Sequence, residues 1–186
     1  AFGCQRVAGR VGANELTIPA VRAPDGSLVY FFDTHHGGEH GFEADFIVNT
    51  AAPGPLGDAA RGDHISQVVP VGDLDTWVLF YRAVLGLQPQ NSVVLNDPYG
   101  VVKSRAVESA DRAVRYSMNV SERQNTAAGR SVSQFGGAGV HHIAFRVTDV
   151  LATAQALRSR GAPMLHIPDN YYDDLEARFG LEPAFL

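Results

Sequence analysis

The sequence has few of the features that mark secreted, membrane-spanning or nucleic-acid-binding proteins. Its 186 residues include one cysteine, Cys4, which excludes an internal disulfide and fits a reducing cytoplasm. No apolar run approaches the roughly 20 residues of a membrane helix, and no signal peptide is visible. The net charge of −5 argues against a nucleic-acid partner. We therefore expect a cytoplasmic protein with no membrane or nucleic-acid partner, and a homo-oligomer stays open.

The chain has enough apolar residues to form a folded core, since 45% of its residues are hydrophobic. The chain begins at Ala1 rather than at Met. It stops at Leu186, in or just after a segment with helical character. We therefore expect this chain to be a fragment of a longer protein.

The first third of the chain predicts a hairpin followed by a linker. Residues 14–33 contain Asp25-Gly26, a strong turn signal between two apolar runs. The next segment, residues 34–62, is rich in Gly, Ala, Pro and polar residues, as is typical of a loop. A module boundary is therefore expected near residues 50–61.

The remainder of the chain contains one pattern twice: strand, helix, glycine, strand. In the first copy, the predicted elements are a strand at 63–71, a helix at 73–86 and strands at 92–96, 101–108 and 112–120. A polar, Gly-rich loop is expected over 121–138. In the second copy, they are a strand at 139–147, a helix at 149–161 and a strand at 163–167. The sequence thus predicts two βαβββ units, with the second cut short.

Both predicted helices carry start and stop signals. Asp73 and Asp149 are the expected caps at the start, and Gly86 and Gly161 stand at the ends. The first helix has one apolar face, formed by Leu74, Trp77, Val78, Tyr81, Val84 and Leu85.

The stretch "GVHHIAF" places two histidines next to each other on a predicted strand. Neighbouring strand residues face opposite sides, so His141 and His142 are not expected to share one role. His142 matches His64, because each follows the start of its unit and precedes Ile and a small residue. Paired units would bring these two imidazoles together, as in a site of two histidines and one carboxylate. The alternative is that both are ordinary packed strand histidines.

Three other sequence patterns are weaker indications of a functional site. His36, Glu39 and His40 match a zinc-peptidase spacing, but two glycines between them oppose the helix that this chemistry needs. The segment "GGAG" (136–139) precedes a strand, whereas a phosphate loop follows one. His166 is expected to be structural.

The chain resembles the vicinal-oxygen-chelate superfamily, and within it 4-hydroxyphenylpyruvate dioxygenase, through "DHISQVV", "QFGGAGVHHIAF" and "PDNYYDDLEARF". It is more similar to the dioxygenase-like C-terminal domain of bacterial two-domain 3-dehydroshikimate dehydratases. These are also described as bifunctional sugar phosphate isomerase/4-hydroxyphenylpyruvate dioxygenase proteins. The subgroup motifs are "DPYGVVKSRA" and "NVSERQNTA".

This resemblance implies an α+β, vicinal-oxygen-chelate (glyoxalase/bleomycin-resistance/dioxygenase) fold of paired βαβββ units, truncated at its C-terminus. Residues 1–50 would be the tail of a preceding module, 51–61 a linker and 62–186 the second module. The metal ligands of the family fall on His64 and His142, and its third ligand, a glutamate on the last strand, is expected beyond Leu186. Asp173, Asp174 and Glu176 lie in a predicted helix and do not match it.

The resemblance further implies a small-molecule substrate and a bound metal. Substrate-pocket positions of the family fall on Asn119 and Gln134, although both also read as ordinary polar residues of a strand and a loop. A divalent cation is implied, with Fe, Mg, Mn and Co all compatible with two His and one Glu. No catalytic residue is assigned.

Three functions stay open from the resemblance. The parent protein could be a lyase, 3-dehydroshikimate dehydratase, which makes protocatechuate in quinate/shikimate breakdown and whose dehydration is attributed to a TIM barrel. It could be an Fe(II)-dependent 4-hydroxyphenylpyruvate dioxygenase, which makes homogentisate. The chain could also be a non-catalytic metal-binding or oligomerisation module. The subgroup motifs favour the first.

Overall fold

The computed structural model describes residues 4–7, 12, 17–32, 61–168 and 170–180, and the chain divides into two compact units, Ala1–Arg146 and Val147–Leu186. The first unit contains a small sheet of β1 (Arg6–Val7), β2 (Ala20–Arg22) and β3 (Leu28–Tyr30), in that order. Strands β2 and β3 pair antiparallel across a turn in which Gly26 has a φ of 88°. The Asp25-Gly26 signal therefore marks a hairpin, as predicted.

A second sheet of six strands forms the body of this unit. Its strands are β4 (Arg61–Val68), β5 (Gln88–Pro89), β6 (Val93–Asp97), β7 (Gly100–Glu108), β8 (Arg115–Val120) and β9 (Gly139–Arg146). The order is β5-β7-β8-β4-β9, and β6 also pairs with β7. Strand β4 runs parallel to β8 and antiparallel to β9. The first strands of the two repeat copies are therefore neighbours, as the repeat predicts.

Helix α1 (Leu74–Leu85) packs on one face of this sheet. Its buried side chains are Trp77, Val78, Phe80 and Tyr81. They pack with Val107 and Met118 of the sheet, both 0% exposed. The Tyr81 hydroxyl donates to Gln67 Oε1 at 2.9 Å. The helix ends at Gly86 with a φ of 69°, as predicted. Asp73 is the N-cap residue, as predicted, but its side chain makes no capping hydrogen bond.

Helix α2 (Ala127–Phe135) lies where the sequence predicted only a loop over 121–138. Its first turn is held by Thr126, whose Oγ1 accepts from the Gly129 N–H at 3.1 Å, and by Asp97, whose Oδ2 accepts from the Ala127 N–H at 3.0 Å. The buried residues Val68, Val102 and Ala128 form a second cluster with Val132. Helix α2 therefore covers one end of the sheet face opposite α1.

The second unit contains α3 (Val150–Ser159) and α4 (Asn170–Phe179). Asp149 caps α3 as predicted, because its Oδ1 accepts from the Ala152 N–H at 2.9 Å. The predicted strand at 163–167 is wrong: these residues find no β-partner in the described part of the chain, and an apolar run without a partner forms no ladder. No helix in the described segments has the length and hydrophobicity of a membrane span.

Several expectations lie outside the described residues. They include His36, Glu39 and His40 and most of the expected linker. The division into residues 1–50, 51–61 and 62–186 stays a prediction.

Candidate metal centre

Strands β4 and β9 bring His64 and His142 onto one face of the sheet. In the antiparallel register, His64 pairs with Ala144 and Ser66 pairs with His142. The two histidines are thus diagonal neighbours, a relationship that lets long side chains meet. Their ring centroids lie 5.7 Å apart, with planes at 74°. The structure therefore brings together the two residues that the repeat singled out.

His141 is not separated from His142, although alternation along a strand predicted that it would be. Its Nδ1 lies 2.9 Å from Nδ1 of His142, and the ring centroids are 5.2 Å apart. One nitrogen must donate while the other accepts. Burial, followed by the neighbouring His141 and His64, lowers the pKa of His142 below its ordinary value. These surroundings favour a neutral imidazole at His142, the form that binds metals.

A carboxylate supports His64 from the same strand. Oδ2 of Asp63 lies 2.8 Å from His64 Nδ1, and Oδ1 accepts from Arg146 Nη2 of β9 at 2.7 Å. The hydrogen bonds with His64 and Arg146 lower the pKa of Asp63, so this carboxylate is ionised. The sequence contained Asp63 only as part of "DHISQVV" and gave no reason to single it out.

A row of polar side chains continues from the histidines across the sheet. Ser66 is 0% exposed, and its hydroxyl accepts from Asn119 Nδ2 at 2.8 Å and from Ser117 Oγ at 3.3 Å. Ser104 of β7 is the cross-strand partner of Asn119 and is also buried. The expected substrate residue Asn119 therefore lies on the face that carries the histidines. The buried serines were missed because serine in a strand carries no sequence signal of its own.

Gln134 lies on α2 rather than on the predicted loop, with an exposed side chain. Among the contacts of the described residues, none joins Gln134 to the histidines or to Asn119. Its assignment to a substrate pocket stays a prediction.

Two imidazoles on one face fit two positions of a divalent metal site with nitrogen ligands. Within the described residues, no group of three His, Cys, Asp or Glu side chains is arranged to hold a metal ion. Among the described residues, the candidate donor set is therefore a pair of histidines. The third ligand expected beyond Leu186 stays a prediction.

The fold is that of a known protein superfamily. It has a β-sheet with α1 on one face and a histidine pair on the other. Residues 61–183 match the Glyoxalase/Bleomycin resistance protein/Dioxygenase superfamily, and the chain belongs to this superfamily. Its α+β fold is thus the vicinal-oxygen-chelate fold that the sequence predicted. Members of this family similar to 4-hydroxyphenylpyruvate dioxygenase typically bind a divalent metal.

Individual relatives show which members of the superfamily this chain is similar to. The chain is 46% identical over 186 residues to 3-dehydroshikimate dehydratase of Pseudomonas aeruginosa, covering 100% of this chain and 29% of that protein. It is 26% identical over 178 residues to 4-hydroxyphenylpyruvate dioxygenase of the same organism, covering 95% of this chain and 50% of that protein. A solved xylose isomerase-like TIM barrel/4-hydroxyphenylpyruvate dioxygenase fusion protein is 38% identical, with a TM-score of 0.71, over 99% of this chain and 28% of its own.

Proposed function

We propose that the whole protein is a 3-dehydroshikimate dehydratase and that this chain is its metal-binding, dioxygenase-like part. The observation that carries the proposal is the contrast between 46% identity to the dehydratase and 26% to the dioxygenase of one organism. The chain spans 29% of the length of that dehydratase, which leaves room for a separate catalytic domain. A cytoplasmic location is consistent with the single cysteine.

The proposed reaction is a β-elimination followed by aromatisation. 3-Dehydroshikimate loses one water molecule and becomes protocatechuate, with no oxidant consumed. We assign this step to a TIM barrel like the one in the fusion protein to which the chain is similar. The chain itself would then hold a divalent metal through His64 and His142, and it would contribute no group to the dehydration.

The residues of the chain have defined parts in this proposal. His64 and His142 supply two neutral nitrogen donors on one sheet face, and Asn119 is presented on the same face by its hydrogen bond to Ser66. A divalent ion bound there would offer a Lewis acid to oxygen atoms of a small molecule. Asn119 and Gln134 are proposed to bind that molecule, and Fe, Mg, Mn and Co are all candidates for the ion.

Metal titration tests the site directly. We expect the 186-residue chain to bind Co²⁺ weakly, because two protein ligands are present, and His64→Ala or His142→Ala to remove this binding. His141→Ala is the matched control, since it deletes a neighbouring imidazole that is not a ligand in this proposal. Tight, stoichiometric binding would show that a third ligand lies within the chain. Loss of binding in the His141 variant would show that the wrong histidine was chosen.

Activity of the protein expressed from its complete reading frame tests the larger proposal. We expect protocatechuate from 3-dehydroshikimate without uptake of O₂, and the same turnover in a His64→Ala/His142→Ala double variant. Formation of homogentisate from 4-hydroxyphenylpyruvate, dependent on Fe²⁺ and O₂, would instead identify a dioxygenase. Metal binding with neither activity would leave a non-catalytic module.

A further inference from the structure

Strand β4 contains a β-bulge immediately before His64. In its pairing with β9, Gly62 lies opposite Phe145 and His64 lies opposite Ala144, so that Asp63 is an extra residue in the ladder. In a regular strand, Asp63 and His64 would face opposite sides of the sheet. A bulge breaks this alternation and re-aims a side chain. Asp63 and His64 are adjacent in the chain, and the bulge permits their side chains to meet, with Asp63 Oδ2 2.8 Å from His64 Nδ1.

Asp63 is held in place by side chains from two other strands. Arg146 of β9 donates to its Oδ1 at 2.7 Å, and Arg115 of β8 lies 3.5 Å from its Oδ2. Arg115 is fixed in turn by Glu108 of β7, at 3.2 Å. The side chain of Asp63 is only 20% exposed, and that of His64 is 27% exposed. The carboxylate therefore has a defined position in a network that spans four strands.

The chemistry of Asp63 and His64 determines which nitrogen of His64 carries the proton. An ionised carboxylate accepts hydrogen bonds and donates none, and a neutral imidazole has one N–H and one bare nitrogen. Arg146 donates to Oδ1 of Asp63 at 2.7 Å and Arg115 lies 3.5 Å from its Oδ2, an arrangement that suits an ionised carboxylate, so Asp63 is the acceptor toward His64. The Nδ1 of His64 must therefore carry its proton.

We propose that Asp63 is a positioning residue, which holds His64 as the Nδ1–H tautomer and leaves its Nε2 free to bind a metal. The proposal rests on the metal site proposed above. Metal-binding histidines commonly donate their second N–H to a carboxylate in this way. Because Asp63 also binds Arg146, four residues after His142 on β9, the same carboxylate links the two strands that carry the histidines.

Nitrogen NMR of the metal-free chain tests the tautomer without any metal. The spectra are recorded near pH 8.5, about two units above the ordinary pKa of about 6.5 of a free imidazole. We expect His64 to show a protonated Nδ1 in the wild type and to lose this preference in Asp63→Ala. Asp63→Asn should give a mixture, because an amide can both donate and accept. A wild-type His64 protonated on Nε2, or a tautomer that is unchanged in Asp63→Ala, would overturn the proposal.

Co²⁺ binding supplies the second readout. We expect Asp63→Ala to weaken it about 10- to 100-fold, as loss of such a partner typically does. Arg146→Gln, which leaves the carboxylate against His64, should preserve the tautomer, and Asp111→Asn is the matched control for removing a carboxylate elsewhere. Binding abolished in Asp63→Ala as completely as in His64→Ala would identify Asp63 as a ligand and overturn its positioning role. If the wild type binds no Co²⁺, the metal function falls and the tautomer alone decides the role of Asp63.

Discussion

Ser66 of β4 lies directly opposite His142 of β9 in the strand register, and Ser66 is fully buried. The Ser66 hydroxyl accepts the side-chain hydrogen bond of Asn119 at 2.8 Å. Ser66 is therefore the backbone partner of a candidate metal ligand and the hydrogen-bond partner of a candidate substrate residue. Polar contacts therefore dominate the part of this sheet face that carries the histidines, whereas apolar packing dominates the face beneath α1.

Ser66→Ala removes the acceptor of Asn119 and is expected to lower the free energy of unfolding by about 1 kcal/mol. Urea denaturation measures the loss. A double-mutant cycle with Asn119→Ala should give a coupling of about 0.5–1.5 kcal/mol, since each change breaks the same bond. Ser133→Ala is the control, because its hydroxyl bonds only back to Gly129 O within α2. Additive effects of the two changes would show that the bond contributes nothing.

The two methionines of the chain form a matched pair for testing the core. Met118 is 0% exposed in the cluster beneath α1, whereas Met164 is 40% exposed. We expect Met118→Ala to destabilise the protein by about 2–5 kcal/mol, through lost transfer energy and a cavity. Met164→Ala should change stability by less than about 0.5 kcal/mol. Similar losses for both variants, measured by denaturant unfolding, would contradict the assignment of the core.

The pairing of His64 with His142 could be predicted from the sequence because it follows from the repeat. Equivalent strands of paired units become neighbours, and one histidine stands at the same position in each. The bulge at Asp63 could not be predicted in the same way. Strict alternation places Asp63 and His64 on opposite faces, and the register shift that changes this depends on the partner strand.

The sequence did not predict helix α2, because this helix also depends on a contact with a distant part of the chain. Its nine residues include a glycine, and its first turn relies on Asp97, which lies 30 positions before Ala127. Local propensity therefore opposed the helix, and a distant contact decides in its favour. Thr126 and Gly136 are a start and a stop signal that could have revealed it. Residues 163–167 show the opposite error, since an apolar run by itself does not make a strand.

A substitution of Gly129 tests whether close packing explains the glycine in the first turn of α2. An added Cβ would lie 2.2 Å from the carbonyl oxygen of Arg123, closer than atoms can approach. Gly129→Ala should therefore destabilise by about 1–3 kcal/mol through overpacking, although alanine is the better helix former. Gly137→Ala is the control, because a Cβ there meets no atom within 4 Å. Thermal or urea unfolding would contradict this account if Gly129→Ala were the more stable variant.

Acid should weaken the link between Asp97 and α2. The N–H groups of Ala127 and then Tyr99 hold the pKa of Asp97 below its ordinary value of 3.8. A carboxyl with a lowered pKa in the folded state stabilises fully above its ordinary pKa, and the contribution is lost as the pH falls through the lowered value. Wild type should therefore be more stable than Asp97→Asn above about pH 5, and the difference should shrink toward pH 2.

Thr126→Ala provides the control for this pH dependence. It removes the other cap of the same helix, at a cost of about 1 kcal/mol, and it contains no group that titrates. Its effect on the free energy of unfolding should therefore be constant from about pH 2 to pH 6. Urea unfolding of the three proteins across this range separates the two caps. A difference between wild type and Asp97→Asn that stays constant with pH would show that the carboxylate charge does not hold the start of α2.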